Sequence, residues 1–422
     1  MHLRNRFKDT INRVLKQPKL TTGSTFYEAY SSEAANIAGW FDFTKEELDI
    51  SKKLIEQNRG YLNIKKVAWF IPDFNNVFWG GIYTIFRFAA HLKEKNSVQN
   101  CFVIIGNVQK EKIVKSMGNA FPVLKDEKIC ILGSESEIHR MGEFDATICT
   151  LWTTAYHSLK FNKTKRKFYF IQDFEPLFYP AGSIYGQTDA TYKFGFYGIA
   201  NTMTLKDIYE KQYNGKAEYF TPCVNTYIFH PEPTTNLDRP FTVFFYARPG
   251  HPRNGFELGI AALKKLKNRM RNKVKIITAG ANWSPHELGL EGVVENLGLL
   301  SYEETAELYR TCDVGLVMMF TRHPSYIPLE LMASGCLVVT NLNPANTWLL
   351  HDRTNCLLSH ASASSLCDTI EEGLTDAEQR KKLTANALIT VRKYTDWDVE
   401  FGPIYSFMCD PDSMPKKIKI ES

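Results

Sequence analysis

From Val67 onward the chain alternates short apolar runs with longer stretches in which apolar residues return every three or four positions. Val67-Ala68-Trp69-Phe70-Ile71, Cys101 to Ile105, Ile129 to Leu132, Ala146 to Cys149 and Lys167 to Ile171 are such runs, and Ile82 to Leu92 carries the helical period between the first two. A short run with no polar alternation reads as a strand buried on both faces, hence as part of a parallel sheet covered by helices. A second series begins after Pro222 and the loop His230 to Pro240. It offers strands at Thr242 to Tyr246, Val274 to Ala279, Val314 to Met318 and Leu337 to Thr340. Helical patterns stand between and after them at Gly255 to Lys267, Tyr302 to Thr311, Pro328 to Ser334, 363–373 and 376–393. The pattern predicts an α/β fold of two Rossmann-like, doubly wound domains, 64–225 and 226–395. Open parallel sheets bind ligands outside the carboxyl ends of their strands, so a cleft between those ends is the expected site.

The flanks read differently. Residues 1–63 form a basic, helix-tending extension in which Leu3, Phe7, Ile11 and Val14 share one helical face until Pro18. Trp397 to Met408 predicts a further helix within 396–410, and 411–422 reads as a disordered tail. The net charge of +5 changes the picture only when located: Arg4, Arg6, Lys8, Arg13, Lys16 and Lys19 against Asp9 account for all of it. The folded part is therefore neutral, which argues against nucleic acid as a partner. For residues 3–15 two readings stand, contact with an anionic membrane surface and an amphipathic helix docked on its own protein. The nine cysteines include no C-x-x-C pair, the usage of a reducing compartment. No apolar run is long enough to span a bilayer, and the first twenty residues lack a secretory apolar core. The expected location is cytoplasmic, with peripheral contact at the cytoplasmic face of the membrane through the basic helix. The histidines lack metal-ligand spacing, so neither a metal nor another cofactor is expected.

Candidate chemistry lies at strand ends. Gly80-Gly81 follows the first strand and opens a helix, so its bare N–H groups are placed to receive an anion; a plain β–α turn would use the same glycines. Arg248 ends a strand of the second series, with Arg253 in the loop before the next helix. Guanidinium forks match phosphate oxygens, against the alternative of solvated surface arginines. Pro328 starts a helix that carries Glu330 in its first turn and ends at Gly335. Glu330 either complements the helix dipole or accepts from the hydroxyls of a sugar. Tyr326 reads as a diphosphate or base contact or as a core aromatic. Asp173 and Glu175 read as contacts to donor-sugar or acceptor hydroxyls or as loop caps.

The run Pro328-Leu329-Glu330-Leu331-Met332-Ala333-Ser334-Gly335-Cys336-Leu337-Val338-Val339 resembles the donor-binding half of retaining GT-B glycosyltransferases. Closer still, Tyr169-Phe170-Ile171-Gln172-Asp173-Phe174-Glu175-Pro176-Leu177-Phe178-Tyr179-Pro180 and His323-Pro324-Ser325-Tyr326 resemble WsaF-type rhamnosyltransferases of surface glycan assembly. The resemblance covers about residues 64–408. It implies a hexosyltransferase whose Glu330 binds the nucleoside ribose and whose Arg248 binds the donor diphosphate, with 396–410 crossing back onto the first domain. It implies a dTDP-, UDP- or GDP-sugar donor, a glycan or lipid-linked acceptor, and no required metal. On that reading Arg248 and Asp173 are the catalytic candidates, while Gly80, Gly81, Arg253, Tyr326 and Glu330 hold the donor. Two positions depart from the family pattern: Arg322 stands where a first glutamate is common, and Arg253 or Asn254 replaces the usual lysine. The alternatives are a GT-B nucleotide-sugar epimerase or hydrolase, and a non-catalytic glycan-binding homologue.

Overall fold

The computed structural model describes residues 24–413 apart from 75–76, 79, 134 and 233–238. The amphipathic pattern of residues 3–15, Trp79 and the tail beyond 413 lie outside the described residues. The chain divides into two compact units: residues 26–221 joined by the segment from Asp396, and residues 222–395.

The first unit holds a seven-stranded parallel sheet made of β1 (Lys66–Pro72), β2 (Gln99–Ile105), β3 (Lys128–Leu132), β4 (Phe144–Cys149), β5 (Thr164–Ile171), β6 (Tyr197–Asn201) and β7 (Lys216–Phe220). Their order is β3-β2-β1-β4-β5-β6-β7. Trp69 of β1 lies opposite Phe102 of β2 and Ile148 of β4, so the direction of winding reverses beside β1. Val67 to Ile71 are wholly buried, and Trp69 packs edge-on against Phe88 and Phe170 at 5.9 and 6.3 Å between ring centroids. Continuous apolar sequence became a doubly covered strand for the expected reason: both faces meet helices.

Four features differ from the sequence reading. First, β6 and β7 carry no apolar run, since Tyr197-Gly198-Ile199-Ala200-Asn201 is small and mixed. In Lys216-Ala217-Glu218-Tyr219-Phe220 the buried Glu218 is satisfied by the Tyr219 N–H at 2.9 Å and by Lys206 at 3.5 Å. Second, β5 starts three residues earlier than the apolar run. Its Arg166 and Lys167 are fully buried. Arg166 donates only to backbone carbonyls, those of Met408 and Cys409 at 2.7 and 2.6 Å and those of Asn58 and Gly60, while Lys167 donates to the Leu159 carbonyl at 2.7 Å. Third, part of the N-terminal extension belongs to this unit. Helix Lys45–Gln57 starts at a capping box between Thr44 and Glu47, and Ile55 joins Ala34 in the first core. Fourth, the second unit begins at Pro222 rather than at 226.

Helix Trp397–Cys409 belongs to the first unit as well. Asp396 caps it, Phe401 packs on Phe88 and Phe220 at 4.8 and 5.1 Å, and Asp398 meets the His91 Nδ1 at 2.8 Å. Three aromatic rings at this spacing make a hydrophobic anchor, with the His91–Asp398 contact beside it.

The second unit repeats the architecture with six parallel strands: β8 (Phe241–Tyr246), β9 (Val274–Ala279), β10 (Glu295–Asn296), β11 (Val314–Val317), β12 (Leu337–Asn341) and β13 (Leu357–Ser359), ordered β10-β9-β8-β11-β12-β13. Here the winding reverses between β8 and β11, where Val243 faces Val314 and Phe245 faces Leu316. Helix Phe256–Met270 lies so close to β8 that a Cβ on Gly259 would come 2.3 Å from the Phe245 ring. Gly315 likewise leaves room for Leu331 of helix Ile327–Ala333. Small residues let these helices lie close on the sheet, β8 and β11 are neighbours in it, and the loops that follow them carry the chemistry.

Candidate functional site

Arg248 stands two residues past β8. Its Nη2 meets the His251 Nε2 at 2.7 Å, its Nη1 reaches the Tyr246 hydroxyl at 3.4 Å, and its Nε is buried without a partner. No carboxylate pairs with it among the described residues. His251 cannot supply a counter-charge: burial, then Arg248 and then Arg253 push its imidazole down to about 4, so the ring is neutral at physiological pH. Arg253, half-buried in the short turn Pro252–Asn254, adds a second positive charge to the same loop. An uncompensated arginine beside a neutral imidazole is a place that attracts an anion.

The loop after β11 lies against this one. The Phe320 N–H donates to the Arg253 carbonyl at 3.2 Å, and a Cβ on Gly255 would strike the Phe320 ring at 2.6 Å. Two asparagines hold the loop from below. Asn341 accepts from the Met319 N–H at 2.7 Å and donates to its carbonyl at 2.8 Å, while Asn343 donates to the carbonyls of Met319 and Thr321 at 3.1 and 2.7 Å. The loop then enters helix Ile327–Ala333 through Tyr326, with Pro328 at its start and Gly335, at φ +78, ending the turn beyond it. Glu330 occupies the first turn, half-buried, and its carboxyl has no hydrogen bond or ion pair among the described residues. Burial alone pushes its pKa up to about 8. Burial raises the phenol of nearby Tyr309 well above its usual range. The second unit thus gathers Arg248, Arg253 and Glu330, with Tyr326 half-buried at the same helix start.

The first unit places its candidates less openly. Gly80 and Gly81 begin helix Gly80–Asn96, both exposed, and a Cβ on Gly81 would lie 3.5 Å from the Gln172 amide nitrogen. Gln172 and Asp173 follow β5 directly, so this glycine pair and the end of β5 meet. Asp173 is half-buried and accepts from the next N–H, that of Phe174, at 2.8 Å. Glu175 is a correction: the structure does not offer it to a sugar. It is 3% exposed, and its carboxylate accepts from the Trp152 N–H at 2.6 Å and from the Tyr169 hydroxyl at 3.1 Å. A buried carboxylate at the N-terminus of helix Trp152–Lys160 satisfies an orphan donor and complements the dipole, which is structural work.

Sequence reasoning passed over His251, Gln172, Gly280, Asn341 and Asn343. The Gln172 Oε1 is buried without a partner beside Gly81. Gly280, at φ +115 after β9, lets the chain run against the Tyr246 ring and the Arg248 stem, which its Cβ would meet at 2.5 and 3.3 Å. The positive φ has no signature in one sequence. A histidine three residues after a strand-end arginine was a signal available to be read. Arg322, at the position of the absent first glutamate, is exposed. Among the described residues no three His, Cys, Asp or Glu side chains gather into a metal-binding group, and no helix is long and apolar enough to cross a membrane.

Comparison with known proteins meets this geometry from the other side. A family model described as the WsaF N-terminal domain matches residues 67–203, and one described as the WsaF C-terminal domain matches 241–371. The O-antigen biosynthesis protein RfbC of Myxococcus xanthus is 36% identical over 412 residues, covering 96% of this chain and 32% of that protein. The chain thus spans about a third of the length of that curated relative. Among solved structures, HepE of Anabaena in complex with UDP and glucose superposes with a TM-score of 0.64 at 14% identity, covering 82% of this chain and 99% of that one. Sucrose-phosphate synthase of Thermosynechococcus elongatus gives 0.61 at 12% identity, covering 81% and 98%. At such identities the likeness is one of fold, the GT-B fold of two Rossmann-like domains. The chain belongs to the WsaF family of glycosyltransferases.

Proposed function

We propose that this chain transfers a sugar, L-rhamnose from dTDP-rhamnose, to a growing surface polysaccharide or lipid-linked glycan, with retention of anomeric configuration and without a metal. The observation that carries the reading is that two groups of the second unit, Arg248 and Glu330, have no partner of opposite charge among the described residues. In the transfer, the bond from the sugar C1 to the β-phosphate oxygen breaks and negative charge grows on the departing diphosphate. Arg248, with Arg253 in the same loop, receives that charge; a fixed cation in a half-buried place is worth far more than one in water. The acceptor hydroxyl oxygen bonds to C1, and its proton leaves with the diphosphate. Glu330 accepts from a ribose hydroxyl, the 3′-hydroxyl alone where the nucleoside is thymidine.

The name of the Myxococcus relative, an O-antigen biosynthesis protein, supports a polysaccharide acceptor, and the UDP bound by HepE supports a nucleoside diphosphate as leaving group. In the first unit, Asp173 and Gln172 are the groups assigned to sugar and acceptor, and the Gly80-Gly81 amides are assigned to the donor. Contact of residues 3–15 with a membrane surface belongs to the same reading, since a lipid-linked acceptor is held there. Calorimetric titration of the full chain with dTDP, UDP and GDP, with and without magnesium, tests the donor half. Tight metal-independent binding of dTDP is expected, and preference for another base would overturn the rhamnose assignment. Incubating dTDP-rhamnose with rhamnan oligosaccharides then tests transfer. An acceptor product heavier by one sugar is expected, and release of free sugar alone would favour a hydrolase.

A further inference from the structure

An arginine that binds an anion faces two demands that pull against each other. Its fork must be held in one orientation, yet its charge must stay uncompensated until the ligand arrives. Some arginines of this chain are held by carboxylates, Arg239 by Asp313 at 2.8 Å and Arg269 by Asp368 at 2.6 Å, and the buried Arg166 is held by backbone carbonyls. Arg248 is held by an uncharged acceptor instead, the His251 Nε2 at 2.7 Å. A guanidinium does not give up a proton, so Nε2 is the bare ring nitrogen and the proton sits on Nδ1. The main chain that carries the ring is pinned on both sides: the His251 N–H donates to the Arg248 carbonyl at 3.2 Å, and the Asn254 N–H donates to the His251 carbonyl at 2.9 Å. The two arginines of the loop and its burial keep the imidazole from taking up a second proton.

We propose that His251 is a positioning residue whose neutral imidazole orients the Arg248 guanidinium for the phosphates of a nucleoside diphosphate while leaving its positive charge unspent. This rests on the donor-site reading above. It assigns a role to a residue that need not touch the substrate, and it explains why an uncharged acceptor stands where a carboxylate would bind the arginine more strongly.

The test uses the full chain, calorimetry with dTDP, UDP and GDP, and inorganic pyrophosphate as competitor. Replacing the acceptor by His251→Ala is expected to weaken the best-bound nucleoside diphosphate roughly 10-fold and to leave binding of the corresponding nucleoside unchanged. His251→Gln, whose amide oxygen can accept from Nη2, is expected to restore most of that loss. His251→Asp neutralises the fork and is expected to bind pyrophosphate no better than His251→Ala. The double variant with Arg248→Ala is expected to bind as Arg248→Ala does. Wild-type affinity in His251→Ala, an undiminished effect of that change in the Arg248→Ala background, or no rescue by a normally folded His251→Gln would each overturn the proposal. A wild-type protein that binds none of the nucleotides would instead overturn the donor-site reading itself, so the two failures are told apart.

Discussion

The two units share a winding order outward from a central strand, and they treat the charged groups at their strand ends in opposite ways. In the first, Glu175 is closed in by a helix N-terminus and a tyrosine, and Asp173 accepts from the neighbouring Phe174 N–H. In the second, Arg248 has only uncharged partners and Glu330 has none among the described residues. Burying a charged or neutralised carboxyl without a partner costs stability, and a fold keeps such a group only where something outside the fold completes it. The comparison therefore separates residues that hold the structure from residues that await a ligand, and it does so inside one repeated architecture.

The strongest way to break that distinction is Arg248→Ala. Losing the fork should cost nucleoside diphosphate affinity and transfer rate on the order of 100-fold, as two charge-assisted bonds disappear. The melting temperature should hardly move, because no protein carboxylate depends on this side chain. A large fall in melting temperature with unchanged affinity would show that Arg248 is structural. Glu175→Ala is the mirror experiment. It leaves the Trp152 N–H and the Tyr169 hydroxyl buried without an acceptor, at a cost of about 2–3 kcal/mol, or roughly 5–10 °C for a unit of this size. Nucleotide affinity should be unaffected, and calorimetric melting against titration reads both outcomes.

Glu330→Gln sharpens the comparison through pH. The folded pKa of Glu330 is raised to about 8 from an ordinary 4.5. Below 4.5 both folded and unfolded chains hold the proton and there is no cost. As pH rises from there to 8 the unfolded chain ionises while the folded chain keeps its proton, so the wild type loses stability progressively. The glutamine variant has no such dependence, and its melting temperature should exceed that of the wild type by more at about pH 8 than at about pH 5. Its nucleotide affinity should fall about 10-fold above pH 8, where the wild type presents a carboxylate and the variant an amide that accepts less strongly. A variant less stable than the wild type at pH 8 would show that Glu330 has a hidden partner.

Much of this is legible in the residues. Unbroken apolar runs mark β1, β2, β8 and β11, because a strand covered on both faces has nothing polar to show. Pro328 in the first turn of helix Ile327–Ala333 and Gly335 after it mark its ends, and Glu330 stands out within it. What escapes reading is whatever long-range contact decides. The charge of Arg166 disguises the start of β5, because the carbonyls of Met408 and Cys409 that satisfy it lie far off in sequence. Glu175 resembles a ligand contact because nothing local says that the helix starting at Trp152 is aimed at it. His251 reads as a surface residue unless Arg248 is seen to point at it.

The smallest expected effect tests whether the backbone around Arg248 matters to the ligand as much as the side chains do. Gly280 adopts φ +115, and its N–H donates to the Gly298 carbonyl at 2.9 Å, tying the end of β9 to the end of β10. An alanine there must take up a backbone conformation that costs about 1–2 kcal/mol, and its methyl meets the Tyr246 ring before it meets the Arg248 stem. The ring is the stiffer neighbour, so the strain should pass through Tyr246 to the guanidinium that its hydroxyl touches. Gly280→Ala is therefore expected to weaken nucleoside diphosphate binding several-fold, about 3- to 5-fold, alongside a modest loss of stability. Were Tyr246→Phe to leave affinity unchanged while Gly280→Ala lowered it, the ring rather than the hydroxyl would be the part that positions Arg248. Were neither change felt, the strand-end backbone would be mere support, and the contrast between the two units would narrow to the side chains of Arg248, His251 and Glu330.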